Sequence, residues 1–181
     1  MLIDLMDGRL DADFQIAYAT DDNFTGRPIY KCARALLQPE AAEKLSKAAE
    51  LAKRLDLRFR IFDAFRPTEA QWALWRFTGG GDYVADPRKG GPHTRGVAVD
   101  VTLLGADGAA LDMGGPFDEL SENAWADALV TPAQQRNRHL LLGLMTAAGW
   151  DCYLKEWWHF QLFEPRRFPS MTDAEAGAGM M

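Results

Sequence analysis

Two of the three histidines in this chain stand among residues that could do chemistry together. His93 follows Gly91-Pro92 and leads into Thr94-Arg95-Gly96-Val97-Ala98-Val99-Asp100. Asp100 falls inside a valine-rich run, on the face opposite Val97, Val99, Val101 and Leu103. A carboxylate there is costly unless something pairs with it. A metal ion would answer the cost, and so would an arginine or a backbone hydrogen bond. His159 ends the run Glu156-Trp157-Trp158-His159. Taken alone, that run reads better as an aromatic core strand with an incidental histidine. His139 lies within a leucine-rich helical pattern and reads as a structural or surface residue.

Taken together, the two runs describe a site. Two imidazoles and one carboxylate, His93, His159 and Asp100, are a ligand set for a single catalytic Zn2+ that keeps its fourth position open. Water at such a position becomes a nucleophile near neutral pH. A carboxylate that does not bind the metal must then carry the proton, and Glu156 fits. Attack on a carbonyl also builds an oxyanion, for which Arg66 is the candidate cation. From position alone Arg66 reads better as a surface salt-bridge residue, with Asp63 for example as its partner. No His-Glu-x-x-His motif is present, which excludes the helical arrangement of many zinc peptidases.

The elements that must position these residues follow from pattern. Residues 39–55 read as a helix with Pro39 in its first turn and Leu45, Ala48, Ala49, Ala52 and Leu55 on one face. Residues 57–64 read as a strand. Thr68-Glu69-Ala70-Gln71 reads as a capping box opening a second helix, which stops at Gly79-Gly80-Gly81. A Gly/Pro/Lys/Arg loop covers 82–92, a strand 97–103, and a turn at Asp107-Gly108 leads to a hairpin partner at 110–113. Thr131-Pro132-Ala133-Gln134 opens a third helix ending at Gly149, and a strand pair covers 150–154 and 157–162. On a regular strand Trp157, His159 and Gln161 would share one face. Glu156, three before His159, would face away unless a loop or bulge precedes that strand. The fold class expected is α+β, one compact domain with a central, largely antiparallel sheet and packed helices.

Composition narrows the partners. The 181 residues suit a single domain, set here at 1–170 with a flexible tail at 171–181. A net charge of −6 with no basic stripe argues against nucleic acid and anionic membranes. No basic-then-apolar leader and no membrane-length apolar run occur, so a cytoplasmic location is expected, or a periplasmic one if a leader was removed. Cys32 and Cys152 read as two buried thiols.

The motifs resemble, in order and spacing, the D-alanyl-D-alanine dipeptidase branch of the M15 zinc peptidases. The matching stretches are Tyr18-Ala19-Thr20 with Asn23-Phe24-Thr25-Gly26, Asp63-Ala64-Phe65-Arg66-Pro67, His93-x-x-Gly96-x-Ala98-x-Asp100, Leu111-Asp112-Met113-Gly114, Phe117-Asp118-Glu119, Gln135-Arg136-Asn137-Arg138 and Glu156-Trp157-Trp158-His159-Phe160. The resemblance implies a zinc site in a restricted cavity, with His93, Asp100 and His159 as ligands, Glu156 as acid and base, and Arg66 as transition-state stabiliser. It implies hydrolysis of free D-Ala-D-Ala to two D-alanines, with Tyr18 and Asp118 near the substrate and Asp118 toward its ammonium group. The alternative within the same chemistry is a D,D- or L,D-carboxypeptidase acting on longer peptidoglycan stems; outside it, a non-catalytic binder on the same scaffold. One departure stands out. Gly91 occupies the place, two before the first histidine, where the family usually has a serine whose hydroxyl could bond the dipeptide. The segments 82–92 and 118–131 also diverge.

Overall fold

The computed structural model describes residues 1–80 and 83–181. A five-stranded sheet forms its centre. In chain order its strands are β2 (Ala12–Phe14), β4 (Arg58–Asp63), β5 (Ala98–Leu104), β6 (Asp151–Cys152) and β7 (His159–Gln161). They lie side by side as β2-β4-β5-β7-β6. Every pairing is antiparallel except the parallel one between β2 and β4. A separate two-stranded ribbon pairs β1 (Ile3–Asp4) with β3 (Leu36–Leu37). The expected α+β class with a largely antiparallel sheet is the one observed.

β5 sits in the middle of the sheet, and all seven of its residues are buried. A strand covered on both faces tolerates a charged residue only where that residue finds partners. Asp100 is that residue. Between Ile61 and Asp63 the pairing of β4 with β5 slips by one residue, so that Asp63 comes opposite Asp100. Such a bulge re-aims a side chain at the rim of a sheet.

Three helices flank the sheet: α1 (Pro39–Lys53), α2 (Thr68–Thr78) and α3 (Pro132–Ala147). α1 buries Ala41, Ala42, Leu45, Ala48 and Ala52 and packs against β4 and α3. It stops before Leu55, which is exposed, because the chain turns through Asp56 at φ +56. α3 begins at the expected capping box: Thr131 accepts from the Gln134 amide, and Gln134 answers to the Thr131 amide. The box expected at Thr68 is not formed. Pro67 precedes α2 without a side-chain cap, because Gln71 is drawn inward to Arg66 and to the Ala85 carbonyl. Gly79, at φ +72, closes α2. The rest of the expected glycine stop and the start of the 82–92 loop fall on Gly81 and Asp82, outside the described residues. The hairpin after β5 narrows to a single bridge, Leu104 to Ala110.

Two further features differ from the expectations. Cys32 is exposed rather than buried, its thiol 3.3 Å from the Gly179 carbonyl oxygen; Cys152 is half-buried, and neither forms a disulfide. Residues 171–181, expected as a loose tail, instead turn back on the body. A short helix α4 (Asp173–Ala176) carries its own capping box. Ala178 and Met180 are buried in the core, the Lys31 amide donates to the Met180 carbonyl at 2.7 Å, and Arg34 donates to the Ala178 carbonyl at 2.7 Å. The composition of the tail concealed that Ala178 and Met180 fill the core. Among the described residues no helix is long and apolar enough to cross a membrane.

Because Met180 is wholly buried, Met180→Ala is expected to cost about 2–5 kcal/mol of stability. Urea unfolding of the variant beside the parent measures this. A change within experimental error would show that the tail contributes no core.

Candidate active site

His93 opens a one-turn 3-10 helix, His93–Arg95, which Gly96 closes at φ +67. A Cβ on Gly96 would also come within 2.9 Å of Leu2, so backbone and packing both call for glycine here. The His93 Nδ1 lies 2.7 Å from the Ala64 carbonyl oxygen. A carbonyl can only accept, so Nδ1 carries the proton and Nε2 turns its lone pair inward. Asp100 on β5 is the register partner of His159 on β7. The His159 Nε2 lies 3.3 Å from Gln161 Oε1, which leaves Nδ1 as the inward nitrogen. Three electron-pair donors thus converge: His93 Nε2 to His159 Nδ1 is 3.1 Å, His93 Nε2 to Asp100 Oδ1 is 3.3 Å, and His159 Nδ1 to Asp100 Oδ1 is 3.1 Å.

These distances decide what could sit among them. Ligands at about 2.0–2.1 Å around a tetrahedral ion lie roughly 3.3–3.4 Å from one another. The three observed separations are close to one face of that tetrahedron. Three acceptors facing inward repel unless protons or a cation lie between them. Among the described residues, His93, Asp100 and His159 form a group of side chains that could hold a metal ion. Burial alone would push the Asp100 carboxyl up, but His93 and His159 beside it hold it well below the ordinary carboxylate range. Burial works against charging His159, and Asp100 outweighs it, so the imidazole is raised.

Glu156 and Arg66 complete the ring. Glu156 lies in the turn that joins β6 to β7, where the His159 amide donates to the Glu156 carbonyl at 3.3 Å. The turn brings residues i and i+3 to one side, and the Glu156 Oε2 stands 3.8 Å from His159 Nδ1. This is the break in the strand that the sequence pattern demanded. It also changes the expected faces. β7 begins only at His159, so Trp158, not Trp157, lines the cavity with His159 and Gln161. Burial raises the Glu156 carboxyl, with His159 opposing. Arg66 is buried, not on the surface. Its Nε donates to Asp63 at 2.9 Å and its Nη1 to Gln71 at 3.1 Å, while Nη2 lies 3.6 Å from Asp100 and the guanidinium packs 4.9 Å from the Tyr18 ring centre.

All seven residues singled out in the sequence line one cavity of about 260 Å³. Tyr18 donates its hydroxyl to Asp118 Oδ1 at 2.9 Å, and Asp118 Oδ2 is buried with no hydrogen-bond partner.

Comparisons with known proteins give the family. The family model for M15 peptidases described as "D-ala-D-ala dipeptidase" matches residues 2–172. The chain belongs to that family. It is 41% identical over 173 residues to the D-alanyl-D-alanine dipeptidase of Escherichia coli (strain K12), covering 95% of this chain and 90% of the relative. It is 35% identical to the enzyme of the same name from Enterococcus faecium, covering 80% of this chain and 83% of the relative.

As an M15 peptidase the chain shows four residues around the site that the sequence alone did not place there. Asp63 is buried, anchors Arg66, accepts the Tyr30 hydroxyl at 2.9 Å and lies 3.8 Å from His93 Nδ1. Its signal was there in an acid at the buried phase of Phe59, Ile61 and Asp63. Gln71, Gln161 and Tyr30 carry no such signal, since amides and tyrosines are ordinary anywhere. Gly91 lines the cavity, and a Cβ there would meet only Ala85 at 3.4 Å. Its backbone does not require glycine.

Asp118 sits at φ +63. Burial first, and then the Asp100 charge, push its carboxyl up to about 8. The unfolded chain releases that proton near its ordinary value, about 3.9. Between those values the folded state binds more protons, so this group's stabilisation is full at low pH and is lost as pH rises through 8. Asparagine tolerates a left-handed backbone and does not ionise. Asp118→Asn is therefore expected to flatten the fall in stability from pH 5 to pH 9, read by urea unfolding in the presence of a chelator. An unchanged slope would assign the titration to another group.

Proposed function

We propose that this M15 peptidase is a zinc-dependent dipeptidase that hydrolyses D-Ala-D-Ala to two D-alanines. The observation that carries this reading is the converging set His93 Nε2, Asp100 Oδ1 and His159 Nδ1, each 3.1–3.3 Å apart, with a separate carboxylate, Glu156, 3.8 Å from one of them. His93, Asp100 and His159 would hold one zinc ion. Bound there with an open fourth position, zinc would supply Lewis acidity to the scissile carbonyl and lower the pKa of a water toward 7.

The protein's own side chains do the rest. Glu156 takes the proton of the attacking water and returns it to the leaving amino group. Arg66 faces the negative charge that grows on the carbonyl oxygen, and its fixed partners mean little reorganisation during reaction. Asp118 and the Tyr18 hydroxyl receive the substrate's ammonium group, which answers the unpartnered Oδ2. A small cavity walled by Tyr18, Trp158, Leu120 and Tyr153 suits a dipeptide rather than a long strand of cell-wall peptide. The names of the relatives support the same substrate.

A chelator is expected to abolish hydrolysis of D-Ala-D-Ala and zinc to restore it. Glu156→Gln should lower kcat by about 10²–10⁴-fold while zinc still binds, and Arg66→Lys by about 10²–10³-fold. His159→Ala should lose the metal itself. Steady-state kinetics with zinc titration read all three. Zinc-loaded protein that leaves the dipeptide intact defeats the proposal, and faster cleavage of a pentapeptide stem replaces it with a carboxypeptidase.

A further inference from the structure

We propose that Arg138 is a positioning residue of the active site, fixing from outside the cavity the segment 113–125 and, through it, both Asp118 and the turn that carries Glu156. This rests on the roles given to those two carboxylates above. Arg138 belongs to α3 and does not line the main cavity. It is 4% exposed, and among the described residues it has no ion-pair partner. Its guanidinium donates instead to three backbone carbonyls: Nε to Met113 at 2.6 Å, Nη1 to Trp125 at 2.7 Å and Nη2 to Asn123 at 2.8 Å. A buried cation bonded to three neutral carbonyls, with burial lowering its pKa against only the opposing charge of Glu119, is an expensive device for stability alone. Three donors in a rigid fork are, however, well suited to hold both ends of a loop in one geometry.

The segment so held has little regular structure of its own, only a short turn at Glu122–Ala124. It delivers Phe117, stacked 4.6 Å from Phe62, then Asp118 and Leu120 into the site. Its far end is tied to the Glu156 turn. The Trp157 amide donates to the Ala124 carbonyl at 2.9 Å, and the Ala126 amide to Leu154 at 2.8 Å. The carbonyls Arg138 grips at Asn123 and Trp125 flank Ala124. Two neighbours on α3 extend the grip: Asn137 donates to the Asp112 carbonyl and Gln134 to the Asp112 carboxylate, each at 2.9 Å. No such bond reaches His93, Asp100 or His159, which are held by β5, β7 and the Ala64 carbonyl. Arg138 thus braces the two loop-borne carboxylates without itself bonding a proposed metal ligand, and the nearest link between the two sets is the His159 amide bonded back to the Glu156 carbonyl.

The test compares zinc-loaded parent, Arg138→Lys and Asn137→Ala. Lysine keeps the charge and loses the fork. Arg138→Lys is expected to lower kcat/KM for D-Ala-D-Ala about a hundredfold, the scale of a 1 Å misplacement. Both a higher KM and a lower kcat should contribute, with zinc affinity unchanged by chelator competition. Hydrogen exchange should speed up in residues 114–126 and 154–157. Asn137→Ala should show a smaller loss of the same pattern, and it decides the matter if Arg138→Lys does not fold. Faster exchange with unchanged kcat/KM overturns the proposal, as does zinc affinity falling in step with activity. If the parent itself leaves the dipeptide intact, the functional reading fails instead. The exchange data then decide alone whether Arg138 holds the segment.

Discussion

Asp63 and Asp100 face each other across the bulged pair β4–β5, both shut off from water, and Arg66 is the fixed cation between them. Two buried carboxylates at that range repel strongly when both are charged. Burial raises Asp63, and Arg66 and His93 work against that rise. The arginine therefore has a structural task before the chemical one proposed for it. The two readings of Arg66, ion-pair partner and oxyanion donor, are not competitors: the pair with Asp63 is what holds the guanidinium against the cavity. Gln71 and the Tyr18 ring narrow its freedom further. A donor whose position is settled before substrate arrives costs no rearrangement later.

The same economy runs through the proposed metal ligands. Asp100 and His159 are cross-strand partners on neighbouring central strands, so the sheet sets their distance. His93 comes from the turn entering β5, and its ring is pinned by Ala64, the residue after Asp63. One bulge thus orders Asp63, Ala64, Arg66 and, through them, His93. The groups proposed to handle substrate and proton lie elsewhere, on the 113–125 segment and the 153–158 turn. Two of the three proposed ligands on strands, with the proposed working carboxylates on loops, divide rigidity from adjustability in the usual sense.

The sequence was legible where pattern is long. The helices of α1 and α3 declared themselves by apolar spacing and by Pro39 and the Thr131 box, and β5 by its valines. The convergence of His93, Asp100 and His159 was legible because few residue types could hold a metal ion together. What was not legible has physical reasons. β1, β2 and β3 span two or three residues, too short for any periodicity to show. The Thr68 box has the right letters, but a buried guanidinium competes for Gln71 and wins. The tail looks loose by composition, yet Met180 and Ala178 fill the core. The order of Trp157 and Trp158 depended on where β7 begins, and that boundary is set by a turn, not by hydrophobicity.

The turn at Glu156 shows how a catalytic spacing can be read across different backbones. On a strand, residues three apart point to opposite faces, and a base so placed could not reach the ion its neighbour binds. On a helix, the same spacing aligns them, which is how helical zinc peptidases use it. Here the His159 amide bonds back to the Glu156 carbonyl, and the Glu156 amide to Tyr153, so two successive turns replace one turn of helix. The strand then begins at the ligand itself. Glu156 keeps helix-like proximity to His159, and His159 keeps the register of the sheet with Asp100. Shift the start of β7 one residue earlier and one of those two relations must fail. That is why Glu-x-x-His, uninformative as a spacing, becomes specific once the sheet dictates where its last residue must lie.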